Sequence, residues 1–422
     1  NPLRDQLHQK FRLVDSLADA LTPAVAGVLL VREDVELMST ALNYFAAALK
    51  DGADLVLSDA VFGYNGATAL YQSDAHVSCT GCALVSRALL DRCRAAVAQG
   101  LGCRPEQLFF TSCGTESDNW AIRAACWQNR HLGRHIVTTA VEHSAVLEPC
   151  RQLEQEGYEV TYLKPDRTGH ISAGQVAEAL REDTVLVSVM LVNNETGCLF
   201  PVADIARLLK ERGSRALLHC DAVQGFLKVP CDPAGWGVDL MSLSAHKIGG
   251  PKGIGALYVR PDLRNLRPLL AGGGQEEGLR SGTEATAQIA GFAKAVALRQ
   301  EGLEEKLAHM ARIKAYCRER LLSIPGVVPV GGGEAPHILA VSLVGYPSAN
   351  VINDLGSQGI CLSAGSACHR GKASRGYAAL GLDKRTAAGV LRLSFGPETT
   401  EGDIDVLYEA LLRHKNTRFS ML

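Results

Sequence analysis

The sequence predicts an α/β protein: a mostly parallel central sheet with helices on both faces, followed by a smaller α+β C-terminal domain. Three observations predict it. Short Val/Leu/Ile runs without polar alternation recur between residues 108 and 260, as strands buried on both faces require. Segments of helical periodicity separate these runs, which suits crossovers between parallel strands. After about residue 300 the texture changes to a long charged helix and a glycine-punctuated remainder.

The elements follow in order. ALVSRALLDRCRAAVAQGL (83–101) has helical periodicity, LFFTS (108–112) reads as a strand and ESDNWAIRAACWQNR (116–130) as a helix. HIVTTAV (135–141) is a strand, SAVLEPCRQLEQEG (144–157) a helix and YEVTYL (158–163) a strand. SAGQVAEALRE (172–182) is a helix with Ser172 as its N-cap. TVLVSVMLV (184–192) is a fully apolar strand, and PVADIARLLKER (201–212) is a helix with proline at its first position. ALLHCDAV (216–223), VDLMSLS (238–244) and GALYVR (255–260) are further strands. GLEEKLAHMARIKAYCRERLLSI (302–324) is a long helix, and the chain ends in a helix near 402–414. Three regions result: an atypical segment over 1–80, a large domain over 81–300 and a small domain over 301–422, with the boundary falling around 295–305.

Composition narrows the function classes. The 422 residues carry 43 Lys and Arg against 45 Asp and Glu, so the net charge of −2 gives no electrostatic argument for nucleic acid or an anionic membrane. No apolar run reaches the length of a membrane span, and the first 15 residues lack a secretory leader pattern. The chain opens on Asn1 rather than Met, which leaves its natural start undefined. Thirteen scattered cysteines, an odd number, argue for reduced thiols and a cytoplasmic setting. Cys79-Thr-Gly-Cys82 has metal-ligand or redox spacing, but no second pair or nearby histidine cluster completes it, so no metal is expected.

Polar residues collect where apolar strands end. SAHKIGG (244–250) puts Lys247 behind a buried strand, where burial can lower a lysine pKa and free its amine for an imine. FTSCGTESDN (110–119) places Gly114 and Thr115 at a helix start, an anion site or simply a threonine N-cap. HCDAVQG (219–225) puts Asp221 at a strand end, where a carboxylate needs a cationic partner, either a ring nitrogen or a structural ion pair. VEHSAV (141–146) puts His143 where an imidazole could stack on a flat ring, and VNNETG (192–197) adds a polar turn. In open α/β sheets ligands bind beyond the carboxyl ends of the strands. Phosphate cradle, aspartate, stacking ring and imine lysine together fit pyridoxal 5'-phosphate.

With GGGQEEGLRSGTE, SAGSACHRG and LRLSFG added in the same order and spacing, the chain from about 83 to 415 resembles the cysteine desulfurases of the NifS/IscS-like group. These belong to the class V, fold-type I pyridoxal-phosphate enzymes. By this resemblance Lys247 carries the cofactor aldehyde, and His143 stacks on its ring and takes part in catalysis. Asp221 partners the ring nitrogen, and Gln224 lies near the ring hydroxyl. Gly114, Thr115, Ser244 and His246 hold the phosphate. Thr283 reaches the phosphate of a neighbouring subunit, which implies a homodimer. Asn194 and Arg392 hold the substrate carboxylate, a task that suits a guanidinium. Cys368 is the nucleophile, carried on a loop of small and basic residues in which His369, Arg370 and Lys372 favour the thiolate.

The implied reaction converts L-cysteine to L-alanine and leaves a persulfide on Cys368 for an acceptor protein of iron–sulfur assembly or tRNA thiolation. A selenocysteine lyase, another class V lyase or aminotransferase, or an inactive cofactor-binding scaffold are the alternatives. Residues 1–80 keep these alternatives open. The family's usual Leu-Asp-Asn-Ala-Ala-Thr-Thr and Gly-Asn-Pro-Ser-Ser segments are missing there, with YNGATAL (64–70) and SDAHVSC (73–79) near their places.

Overall fold

The computed structural model describes residues 80–263, 266–364, 375–418 and 420, and for 80–88 and 375 the backbone alone. The readings on residues 1–79, on Cys368 and its neighbours, and on the side chain of Cys82 lie outside these residues. The chain divides into two compact units, 1–93 with 285–290, and 94–284 with 291–422. Within the first, the described residues are helical over 80–93 and again from 286. Both sheets lie in the second.

The elements run α1 (Thr80–Leu101), β1 (Leu108–Thr111), α2 (Gly114–Gln128), β2 (His135–Thr139), α3 (Ser144–Gln155), β3 (Glu159–Leu163), α4 (Ala173–Ala179) and β4 (Thr184–Met190). They continue through α5 (Val202–Glu211), β5 (Leu217–Asp221), α6 (Pro233–Trp236), β6 (Leu240–Ser244), β7 (Gly255–Val259), α7 (Thr286–Gln300) and α8 (Leu303–Leu322). The C-terminal part holds β8 (Val327–Pro329), β9 (Ile338–Leu343), α9 (Ser348–Gly356), α10 (Arg375–Ala379), α11 (Lys384–Ala388), β10 (Val390–Ser394) and α12 (Glu401–Thr417).

Strands β1 to β7 form one sheet in the order β1-β7-β6-β5-β4-β2-β3. The pairs β2–β3, β2–β4, β4–β5 and β5–β6 are parallel. The pairs β1–β7 and β6–β7 are antiparallel. Two reversals restore direction, so β1 runs the same way as β6. The carboxyl ends of β1, β2, β4, β5 and β6 therefore open on one edge of the sheet. The fully apolar strands are buried along their whole length, and Trp120, Ile122 and Val146 pack against them from α2 and α3. A second sheet, β10-β9-β8, is antiparallel throughout and is covered by α8, α9 and α12 through Ile313, Leu355 and Leu407.

Local signals behave as their chemistry requires at α4. There Ser172 accepts from the Gln175 amide at 3.1 Å while the Gln175 side chain caps the Ser172 amide at 2.9 Å. Two caps differ from the sequence reading. Pro201 is the N-cap of α5 rather than its first helical residue, because its ψ of 59° lies outside the helical range. Thr115 is the second residue of α2, not its cap, because the extended Cys113 already occupies that position. Among the described residues no helix is long and apolar enough to cross a membrane, and the ten described cysteines are all free.

Candidate active site

The shared carboxyl edge gathers most of the residues singled out from sequence. Gly114 opens α2 directly after β1 and is pressed against the ends of two other segments. A Cβ placed there would lie 2.7 Å from Val223 Cγ2 and 3.4 Å from Ser244 Cβ, so only glycine lets the helix start this close. Thr115 is exposed beside it. Ser244 ends β6, and its hydroxyl meets His246 Nδ1 at 2.9 Å. Lys247 lies in the short 3-10 turn Ala245–Ile248 that follows and is half-buried. Desolvation first, and then Lys247, Lys228 and Lys252, hold His246 below its ordinary pKa.

Asp221 ends β5 as a buried carboxylate whose Oδ1 accepts from the Val223 amide at 2.9 Å. Burial pushes its pKa up, while His143, the Val223 amide and Lys247 pull it down. The carboxylate thus faces both His143 and Lys247. His143 is the N-cap of α3, its Nδ1 accepting from the Ala145 amide at 3.1 Å.

A second group lies at the turn after β4. Arg392 on β10 donates from Nη1 to the Asn194 carbonyl at 3.0 Å, and its buried Nε has no partner among the described residues. The backbone of Arg392 pairs with Ser363, amide to carbonyl, at 2.6 and 3.3 Å. On the far side of 365–374, the Tyr377 hydroxyl donates to the Glu195 carbonyl at 3.3 Å. Described residues on either side of 365–374 therefore contact Arg392 and the Asn194–Glu195 turn. Gln224 receives the Lys228 ammonium at 3.1 Å and lies 3.3 Å from His337 Nε2. Thr283 is exposed in the stretch before α7.

Sequence reasoning passed over several buried groups behind this edge. Glu142 accepts from Thr139 Oγ1 at 2.9 Å and from the Met190 amide at 3.0 Å, and burial pushes its pKa up to about 8. Asp118 lies behind Asp221 and is raised by burial and by that neighbour. His219 bonds Ser188 at 2.8 Å and Ser242 at 3.0 Å, and burial lowers its pKa to about 3. It is therefore neutral, and its 3.5 Å approach to Asp118 is not an ion pair. Lys228 is lowered by burial and by Lys247, and His337 by burial and Lys228 to about 2. The one usable signal was a charged or imidazole side chain inside an otherwise apolar run, as at Glu142 and His219.

Residues 67–407 match the aminotransferase class-V family. A cysteine desulfurase IscS of Clostridium botulinum is 39% identical over 325 residues, covering 75% of this chain and 81% of its own. A cysteine desulfurase IscS of Vibrio atlanticus is 43% identical over 328 residues, covering 75% and 78%. Among solved structures, a NifS-like protein superposes with a TM-score of 0.75 at 34% identity, covering 80% of this chain and 90% of its own. SspA in complex with cysteine gives a TM-score of 0.66 at 30% identity, covering 87% and 97%. With family match, relatives and fold in agreement, the chain belongs to the aminotransferase class-V family, in its IscS- and NifS-like cysteine desulfurase group.

Proposed function

We propose that the protein is a pyridoxal-phosphate-dependent cysteine desulfurase that converts L-cysteine to L-alanine and keeps the sulfur as a persulfide on Cys368. The residues present fit the cofactor. Asp221 is a buried carboxylate facing cationic groups, as a protonated ring nitrogen requires, and Lys247 supplies an amine on the same edge. The close approach of Gly114 to Val223 and Ser244 brings the α2 N-terminus, the Ser244 hydroxyl and His246 to one corner, a donor set suited to a phosphate. His143 offers its ring for stacking, Gln224 lies beside Lys228, and Thr115 and Thr283 are exposed. When bound, the cofactor supplies an electron sink for bonds at the substrate Cα.

The protein's own groups do the rest. Arg392, held by the Asn194 carbonyl, keeps a buried N–H for the substrate carboxylate. Lys247 would hold the cofactor aldehyde and, as a free amine, would move the Cα proton. The Cys368 thiolate takes the substrate sulfur: an S–S bond forms as the C–S bond breaks, the C–S electron pair stays on Cβ and is protonated to the methyl group of alanine, and the thiol proton that Cys368 gave up balances it.

The observation that supports this reading most is the anchoring of the Cys368 segment at both ends beside Arg392 and Asn194. A thiol on such a segment can meet a substrate held there and then turn outward to an acceptor. A homodimer completed through Thr283, a sulfur-acceptor protein of iron–sulfur assembly or tRNA thiolation, and a cytoplasmic setting belong to the same proposal. So does the division into a cofactor-binding domain over 81–300 and a small domain over 301–422. The test is alanine release from L-cysteine by the purified protein and by Cys368→Ala. The proposal expects release only from the first; release that survives the substitution overturns it.

A further inference from the structure

A second cluster of reactive side chains shares the turn after β4 with Asn194 and Glu195 but is built from other residues. His170 Nε2, Cys198 Sγ and a Glu334 carboxylate oxygen all lie within 4.8 Å of one another. They come from three separate segments: the turn before α4, the turn after β4, and the glycine-rich stretch between β8 and β9. We propose that these three residues bind a borderline divalent cation of the zinc class, with His170, Cys198 and Glu334 as ligands and the exposed side left for water.

The donor set is the first reason. Imidazole, thiolate and carboxylate are the usual zinc ligands, and one thiolate plus one carboxylate neutralise a dication. Zinc bonds of about 2.0–2.3 Å put tetrahedral ligand atoms roughly 3.3–3.7 Å apart, so the three atoms need only small shifts to surround an ion. His170 Nε2 and Glu334 Oε1, now hydrogen-bonded at 2.5 Å, would release the proton between them to solvent and move apart by roughly 0.8 Å to admit it.

The hydrogen-bond chain behind His170 is the second and independent reason. The Thr168 hydroxyl donates to Asp166 Oδ1 at 2.6 Å, so its oxygen must accept at 2.8 Å from His170 Nδ1–H. Asp166 is itself held by the Thr168 and His170 amides at 2.8 and 3.0 Å. This fixes the proton on Nδ1 and turns Nε2 toward Glu334 and Cys198. A carboxylate, a hydroxyl relay and an oriented imidazole are what a metal-binding histidine needs behind it. Gly332 makes room for the ring: a Cβ there would lie 2.4 Å from His170 Cε1.

The other ligands are also oriented. Glu334 Oε2 accepts from the Leu199 amide at 2.9 Å, which leaves Oε1 for the ion. Cys198 Sγ accepts from the Gly333 amide at 3.4 Å and donates to the Thr168 carbonyl at 3.2 Å. Metal binding would send that thiol proton to solvent. Lys314 is the nearby cation; its ammonium is committed to the Gly333 and Ala335 carbonyls and leaves the ligand atoms open.

The test uses full-length holoenzyme, stripped with a chelator and dialysed against zinc chloride, with bound zinc measured per chain. The wild type is expected to hold one more zinc than Cys198→Ser or His170→Ala. Comparison by difference removes any zinc held by Cys79, Cys82 or Cys368. Glu334→Gln alters an exposed side chain and keeps the fold, so it tests the site even where a buried substitution unfolds; its affinity should fall at least about tenfold. Thr168→Val keeps all three ligands but cuts the relay, and a roughly 10- to 100-fold loss is expected. Cobalt(II) in place of zinc should give the visible bands of a tetrahedral thiolate site in the wild type and not in Cys198→Ser. Equal zinc content in wild type, Cys198→Ser and Glu334→Gln would overturn the proposal.

Discussion

Arg392 holds the main chain of Asn194 with its guanidinium, at 3.0 Å, and the base of the Cys368 segment with its own backbone, at 2.6 Å to Ser363. One residue of β10 thus ties the second sheet, the turn after β4 and the start of the thiol-bearing segment together.

Arg392→Lys keeps the charge but loses the planar fork, and with it both the Asn194 contact and the free Nε–H. A charge-assisted hydrogen bond is worth about 1.5–3 kcal/mol, so KM for L-cysteine should rise roughly 10- to 150-fold. Steady-state kinetics check this. An unchanged KM would remove Arg392 from substrate binding.

Tyr377→Phe deletes only the hydroxyl that reaches the Glu195 carbonyl. The residue is buried, so the ring still fills its place. Losing this neutral hydrogen bond costs about 1 kcal/mol. The expected outcome is a several-fold lower kcat with KM little changed, because the substitution frees one end of the Cys368 segment and leaves Arg392 in place. A change in KM alone would contradict the anchoring role.

Most of this framework was legible in the residues. Apolar runs marked most strands of the seven-stranded sheet, because strands buried on both faces admit almost nothing else, whereas the edge strand β3 (Glu159–Leu163) is partly exposed and carries polar residues. What such runs do not carry is direction. The antiparallel pairing of β1 and β7 gave no local signal, because Leu108–Thr111 and Gly255–Val259 are equally apolar. Helix starts were less legible: the extended backbone of Cys113, not a capping side chain, begins α2. Of the site, the strand-end residues could be found because each interrupts an apolar run. The His170, Cys198 and Glu334 cluster could not, because its members are brought together only when three distant segments pack.

Gly114→Ala should weaken cofactor capture without unfolding the protein. Its methyl would meet Val223, whose amide holds Asp221 at 2.9 Å. Overpacking of this kind costs about 1–3 kcal/mol, so the pyridoxal 5'-phosphate Kd should rise roughly 5- to 150-fold. Fluorescence titration of the apoprotein measures it, and an unchanged Kd would show that the α2 start does not touch the cofactor.

Glu142 gives a signed pH prediction. Burial raises its pKa from 4.5 to about 8, so between those values the folded protein holds a proton that the unfolded chain has released. Its stabilising contribution is complete below about 4.5 and is lost as pH rises toward 8. Glu142→Gln, which has no proton to lose, should flatten the fall in thermal midpoint between roughly pH 5.5 and 7.5. Neighbours such as His219 act in both proteins and cancel in the difference. Parallel pH curves for the two proteins would contradict the buried, protonated state.

The most direct measurement is borohydride reduction of the protein loaded with pyridoxal 5'-phosphate, followed by proteolysis and peptide mapping. The account predicts one pyridoxyl label, on Lys247, in the turn after β6. A label on another lysine, such as the buried Lys228, or no label at all, would contradict it.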